Sequence, residues 1–345
     1  MSFKIENSIF QMGDNYPKFK AAAVQAAPVF LDRDATIDKA CVLIEEAAQH
    51  GADLVALPEV FVPGHAYWAW HMPWKDGMKY SIEYYKNAVE IPSPATDKIA
   101  ETARKNNIYV AIGVNERDNK TLYNTLLYFD REGRLFGKHR KLKATGAEKL
   151  VWGDGDGSTH RVYPTEVGRL GGLICGEHAA VMPGYALGGM AQQVNISAWV
   201  GFVSVDPDFA EICSRYHAIA YNTFVICTQS LVDESVTAKL GNIGLREKTA
   251  WTAIIEPGTG RIIGGPLKPD EEGIVYADID TEKCIEHYFK HEGTGHYCGK
   301  QFQVFFDTRE TRPFNIIDRE KCPPKKLMAD FPEAYVPENF ENEPE

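Results

Sequence analysis

A cysteine at the end of an apolar run has the most chemistry to offer in this chain. Leu170-Gly171-Gly172-Leu173-Ile174 ends on Cys175, and Gly176-Glu177-His178 follow at once. Such a run reads as a buried strand, and the glycine directly after it marks a sharp strand-to-helix turn. A thiol placed there is a nucleophile with backbone N–H groups aimed at whatever it attacks. Upstream, Leu54-Val55-Ala56-Leu57-Pro58-Glu59 reads as a second buried strand, with a carboxylate at its exit. His139-Arg140-Lys141-Leu142-Lys143 delivers a cation at a third exit. Proton carrier, cation and thiol, each at a strand exit, form a candidate set for covalent catalysis. The residues alone do not choose the cation: Lys138, Arg140, Lys141 and Lys143 compete, and a basic cluster is commonly a solvated face. Glu177 and His178 share the turn with the thiol and read as supporting neighbours of it.

The elements that must position these groups alternate between strand and helix. Strands are expected at 19–25, 54–57, 108–114, 122–130, 135–138, 194–197, 224–229 and 274–277, with hairpins at 165–174 and 251–263. Between Asp34 and His50, apolar Ile37, Ala40, Cys41, Ile44 and Ala47 recur at helical spacing, with Gly51 as the stop. Further helices are expected over 93–106, 179–191 and 207–221. Alternation of this kind indicates an α/β protein with helices outside sheets. Pattern alone suggests a single doubly wound sheet. No long linker, repeat or low-complexity tract divides the chain, so one domain is expected over 19–312. Residues 1–18 read as an N-terminal extension. Residues 313–345 turn to Pro, Lys and Glu and read as a tail, mobile or wrapped on a neighbouring subunit.

At its chemistry-bearing segments the chain resembles the nitrilase superfamily of carbon–nitrogen hydrolases, and within it the nitrilase branch. The resemblance runs from about Phe19 to about Phe306. It is carried by Ala23–Pro28, Leu57-Pro58-Glu59 with Pro63-Gly64 and Tyr67-Trp68, and Arg140–Lys143. It continues through Gly155–Ser158, Cys175–His178, Asp270–Asp278 and Gly295-His296-Tyr297. The resemblance implies an α-β-β-α four-layer sandwich. It maps Glu59, Lys141 and Cys175 onto the family's triad and Glu148 onto a second carboxylate that orients the lysine. Segments matching Tyr67, Trp68 and Trp199 line the substrate pocket in the family, and Gly176 stands where nitrilases commonly carry tryptophan. The implied reaction is hydrolysis of an organic nitrile to the acid and ammonia, through a thioimidate and a thioester on cysteine. Alternatives are an amidase or carbamoylase with the same triad, or a hydratase releasing the amide. Aromatic walls and the room left at Gly176 favour a hydrophobic, aromatic or arylaliphatic nitrile. The family also implies a homo-oligomer, built from dimers and extending into a spiral.

Bulk properties exclude several other classes. The chain has 345 residues, 44% of them hydrophobic and 25% charged, as expected of a globular protein with a large core. A formal net charge of −11 argues against nucleic acid or an anionic membrane as partner. No apolar stretch approaches the roughly 18–20 residues of a membrane span, and Met1–Glu6 lacks the apolar core of a secretory signal. Seven cysteines without paired spacing point to reduced thiols in a cytoplasm. Cys284, His287, His291, His296 and Cys298 tempt a zinc reading, but Gly293 and Gly295 break any helix and His291 to His296 is one residue too long for a zincin motif. No phosphate-cradling loop occurs either, so no metal and no cofactor are expected.

Overall fold

The computed structural model describes residues 15–201, 208–241, 243–245 and 249–290. From Tyr16 onward these belong to one compact unit. The expected tail, Gly295-His296-Tyr297, the 1–14 part of the extension, and His291, His296 and Cys298 of the rejected zinc cluster lie outside the described residues.

The chain order is β1 (Lys18–Ala26), α1 (Arg33–Gln49), β2 (Leu54–Ala56), α2 (Trp68–His71), α3 (Trp74–Lys86), α4 (Pro94–Lys105), β3 (Tyr109–Asp118), β4 (Thr121–Phe129) and β5 (Leu135–Arg140). It continues with β6 (Tyr163–Thr165), β7 (Gly168–Ile174), α5 (Val181–Gly189), β8 (Val194–Trp199), α6 (Phe209–Ala220), β9 (Phe224–Ser230), α7 (Glu234–Leu240), β10 (Ala253–Ile255), β11 (Ile262–Gly264), β12 (Gly273–Asp280) and α8 (Lys283–Tyr288).

The twelve strands are hydrogen-bonded into one sheet, which folds over into two stacked halves. One runs β5-β4-β3-β2-β1-β12 and the other β6-β7-β8-β9-β10-β11. They touch through a short parallel register, Gln25 with Gln229 and Ala26 with Ser230. Alternate side chains show the layering, since successive residues of a strand face opposite ways. Ala21 and Ala23 of β1, Val194, Ile196 and Ala198 of β8, and Phe224 and Ile226 of β9 share one core between the sheets. Ala22, Val24 and Ala26 face the other way, onto Ile37, Ala40 and Ile44 of α1 and Ile99 and Ala103 of α4. Cys227 packs against Ala210 and Cys213 of α6, and Val225 and Ile255 against Ala218. Helix, sheet, sheet, helix is thus the order of layers, and where pattern alone suggests a single flat doubly wound layer, the sheet is folded into two.

Helix ends follow local chemistry. Asp32 caps α1 by accepting from Ala35 N–H, and Gly51 leaves it at φ 79°. At the start of α4, Thr96 Oγ1 reaches back to accept from Ser93 N–H at 2.9 Å, and Asn107 exits the helix at φ 50°. Four helices escape the sequence reading: α3 carries its apolar Trp74, Met78 and Ile82 on the exposed side, and α2, α7 and α8 are short.

Candidate active site

The site residues gather beyond the exits of β2, β5 and β7. Strand β2 pairs in parallel with β1 and β3, and β7 in parallel with β8, and open α/β folds place their ligands beyond the carboxyl ends of such strands. Glu59 lies three residues past β2, where the chain crosses β3 at Gly113. A Cβ on Gly113 would sit 2.2 Å from Pro58 O and 2.4 Å from Val60 N, so only glycine permits the crossing. Val60, at φ 43°, completes the turn. The carboxylate is buried, at 1% exposure.

Lys141 follows β5 and is likewise buried. Its backbone is held on both sides, by Lys141 N–H to Asn124 O at 2.8 Å and Gly155 N–H to Lys141 O at 2.7 Å. Its ammonium donates to Glu59 Oε1 at 2.9 Å and to Glu148 Oε2 at 2.8 Å. Glu148 sits in a single turn of 3-10 helix and accepts back from Thr145 N–H at 2.8 Å. The competing cations are committed elsewhere. Lys138 and Arg140 bind Glu116, at 2.5 and 2.6 Å, and Lys143 binds Asp154 on the surface. Period-two alternation along β5 accounts for this: 138 and 140 face one way, 139 and 141 the other.

Cys175 has φ 51°, the left-handed region that a non-glycine residue adopts at a cost of about 1–3 kcal/mol. Glu177 fixes that turn. Its Oε2 accepts from Ile174 N–H at 2.7 Å and pairs with His139 Nε2 at 2.8 Å, while Oε1 accepts from Leu142 N–H at 2.7 Å. One buried carboxylate therefore ties the Cys175 turn to the segment that carries Lys141. His178 is adjacent: its Nδ1 bonds Cys175 O at 3.1 Å, and its Nε2 meets Asn195 Nδ2 at 3.0 Å.

The two carboxylates that flank Lys141 are pushed apart. Burial, with the Glu148 charge beside it, holds Glu59 above the usual carboxylate range against the pull of Lys141. Glu148 is also penalised by burial, but Lys141 and His65 outweigh it and bring it down to about 2. A pair so divided suits one proton carrier and one permanent anion. Burial works against the Lys141 charge, yet Glu59, Cys175 and Glu148 hold it well above the usual lysine range. The Cys175 thiol is raised well above its usual range, first by burial and then by Glu59, with Lys141 and the Gly176 N–H opposing. It rests as a thiol and needs a base. His178 is brought down to about 4 by burial and stays neutral.

The expected pocket residues divide. Tyr67 is buried against His65 and Phe30, and its phenol feels the Glu59 charge. Trp199 stacks on His178, at 5.4 Å between ring centroids, and shares an apolar cluster with Cys175. Gly176 leaves room: a Cβ there would meet nothing closer than Thr145 Oγ1 at 3.7 Å. Trp68 turns instead to α3, donating to Ser81 Oγ at 2.9 Å and meeting Tyr84 edge-on.

Two residues of the site escape the sequence reading. Asn124 Nδ2 donates to Glu59 Oε1 at 2.7 Å. His65 Nε2 pairs with Glu148 Oε1 at 3.2 Å, its ring packed on Trp152. A buried asparagine inside the apolar run 122–129 is itself a signal, because buried polar residues are the informative ones. Glu59, His65 and Glu148 bring ligand atoms within 4.8 Å of one another, as a metal site would. Lys141 already donates to both carboxylates, so an ammonium supplies the cation there.

The carbon–nitrogen hydrolase family profile matches residues 20–288. The chain belongs to the carbon–nitrogen hydrolase family. Within this family it falls in the nitrilase branch. It is 43% identical over 314 residues to a nitrilase of Bacillus sp. (strain OxB-1), covering 88% of this chain and 92% of that one. An aliphatic nitrilase of Rhodococcus rhodochrous is 37% identical over 315 residues, covering 86% and 85%. Carbon–nitrogen hydrolases of known structure share the fold: a branch 10 member from Saccharomyces cerevisiae superposes with TM-score 0.64 at 21% identity, covering 79% of this chain and 94% of that one. An amidase from Nesterenkonia sp. gives TM-score 0.61 at 16% identity, covering 79% and 94%.

Proposed function

We propose that this carbon–nitrogen hydrolase is a nitrilase that converts an organic nitrile to its carboxylic acid and ammonia, with Cys175 as nucleophile. The observation that carries the reading is one buried lysine bonded to two carboxylates of opposite tendency beside a desolvated thiol, in a chain whose relatives are nitrilases.

A nitrile carbon is a weak electrophile with no leaving group, so attack needs a proton delivered to nitrogen as charge develops there. Glu59 takes the Cys175 proton, sulfur bonds to the nitrile carbon, and Glu59 returns the proton to nitrogen, giving a thioimidate. Water, deprotonated by Glu59, adds to that carbon. The tetrahedral species is held by Lys141 and the Gly176 N–H. Nitrogen is protonated and leaves as ammonia, and the thioester that remains is hydrolysed by a second water to the acid and the free thiol. Glu148 keeps its charge throughout and anchors Lys141.

Tyr67, Trp199 and the space at Gly176 support an aromatic or arylaliphatic nitrile as substrate. The same proposal includes a homo-oligomer. Helix α6 exposes Ile212, Tyr216 and Ile219, and α5 exposes Val181 and Met182, an apolar surface suited to a second copy of this chain. The unpaired thiols Cys41, Cys213, Cys227 and Cys284 suit a reducing compartment such as the cytoplasm. Among the described residues no helix is long and apolar enough to cross a membrane. Incubation with phenylacetonitrile, benzonitrile, a short aliphatic nitrile and cyanide, with ammonia, acid and amide all measured, tests the reading. Acid and ammonia from an aromatic or arylaliphatic nitrile is the expected result. Amide as the main product from every nitrile, or hydrolysis of amides alone, would overturn it.

A further inference from the structure

The two oxygens of Glu59 do not have the same surroundings. Oε1 accepts two bonds, from Lys141 Nζ at 2.9 Å and Asn124 Nδ2 at 2.7 Å. Oε2 is buried and has no hydrogen-bond partner among the described residues. Asn124 itself is 2% exposed, and its Oδ1 is also buried without a described partner. Leaving a buried acceptor unsatisfied is costly, so the amide is not there to complete a network. Its orientation is nonetheless fixed, because a flip would set Oδ1 against a carboxylate oxygen. The same residue reaches the second member of the set through its backbone, since Asn124 O accepts the Lys141 N–H. In β4, Asn124 pairs with Asn115 of β3, the strand over which the Glu59 turn crosses.

We infer that Asn124 is a positioning residue that clamps Glu59 Oε1 beside Lys141 and so makes Oε2 the oxygen that exchanges protons with the thiol, the nitrogen and water. This deepens the nitrilase reading and rests on it. With Oε1 doubly engaged, a proton on Glu59 goes to the open oxygen, whose lone pairs no donor competes for. The clamp also favours the charged carboxylate, because a donor to the ionised form resists protonation. The other groups that face Glu59 come from separate segments: Lys141 after β5, Glu148 in its single turn, His65 after the Glu59 turn, Cys175 after β7, Tyr67 before α2 and Tyr84 of α3. None of them is altered by a substitution at 124.

Asn124→Leu removes the donor with little change of volume, and Asn124→Ser removes it with a smaller polar group should leucine disturb folding. Circular dichroism and melting establish which variants fold. On the nitrile that the wild type turns over, the folded variant is expected to lose at least about tenfold in kcat with KM little changed. The acid limb of its kcat/KM profile is expected to move up by about one pH unit, as the hydrogen bond to the ionised carboxylate is lost. A residue with a merely structural role would lower the melting temperature and leave that limb in place. An unmoved acid limb in a folded variant overturns the inference. Wild type that releases no ammonia from any nitrile overturns the nitrilase reading instead, so the two failures are distinct.

Discussion

Two buried glutamates, Glu116 and Glu59, meet cations from the same short segment and end up as opposites. Glu116 of β3 takes Lys138 Nζ and Arg140 Nη2 on Oε1, and Arg140 Nε and Thr125 Oγ1 on Oε2. Both of its oxygens are satisfied, and although burial opposes ionisation, Arg140 and Lys138 outweigh it and bring the group down to about 2. Glu59 takes one lysine and one amide on a single oxygen, and burial wins, so its carboxyl is held above the usual range. Burial is the same; the donor count differs. A saturated carboxylate is fixed as an anion and joins strands. A half-satisfied one can carry a proton, and a perturbed group of that kind in a cluster marks a candidate functional site.

The largest contrast is in rate. Glu59→Gln preserves shape and leaves Glu148 as the counter-charge of Lys141, so it is expected to fold and to lose about 10²- to 10⁴-fold in kcat. Glu116→Gln is expected to keep its rate per folded molecule but to lose about 3–5 kcal/mol of stability, because Arg140 and Lys138 are left short of a buried partner. Denaturant unfolding and steady-state kinetics on both proteins separate the two effects. If Glu116→Gln is the slower enzyme and Glu59→Gln the less stable protein, the comparison is reversed.

The cations should divide the same way. Lys141→Arg keeps charge but changes reach and donor geometry in a closed site, and a nearly inactive enzyme is expected. Lys143→Ala, which loses only a surface pair to Asp154, is expected within about twofold of wild type, since such exposed pairs contribute little. Activity retained in Lys141→Arg and lost in Lys143→Ala would move the catalytic cation.

Acid titration gives a smaller, signed effect. Glu116 and Glu177 both fall from a reference of 4.5 to about 2: burial opposes this, and is outweighed by Arg140 and Lys138 for Glu116 and by His139 for Glu177. Their folded forms bind protons less readily than the unfolded chain does. The stability they contribute is therefore complete above about pH 4.5 and is lost as pH falls toward 2. Midpoints of urea unfolding should drop across that window in wild type and drop less in Glu177→Gln. Equal slopes in the two proteins would remove Glu177 from the acid response.

Much of the site is legible in the amino-acid sequence. The strand exits point to Glu59 and Cys175 because apolar runs that end in proline or glycine can hardly end otherwise. The lysine is not separable by composition, yet the alternation of β5 holds the answer: 138 and 140 share a face that 141 cannot. Asn124 stands out as a polar residue in an apolar run, but a strand reading assigns it no task. Trp68, which the family resemblance puts at the pocket, packs on Ser81 and Tyr84 of α3. One residue of helical turn, about 100°, sends Tyr67 toward the carboxylate and Trp68 toward α3. Helix α3 escapes notice because burial is carried by Gly77 and Tyr84, while its large apolar residues face outward. Two sheet layers rather than one cannot be read from alternation, which records which face is buried but not against what.

Cys175 is expected to form the covalent bond to the nitrile carbon. Rapid quenching during turnover, followed by mass analysis of the intact chain and its peptides, tests it most directly. An acyl or imidoyl adduct is expected on the peptide bearing Cys175, disappearing as acid and ammonia accumulate and absent from a folded, inactive Cys175→Ala protein. Turnover in folded Cys175→Ala, or an adduct on any other residue, would contradict it.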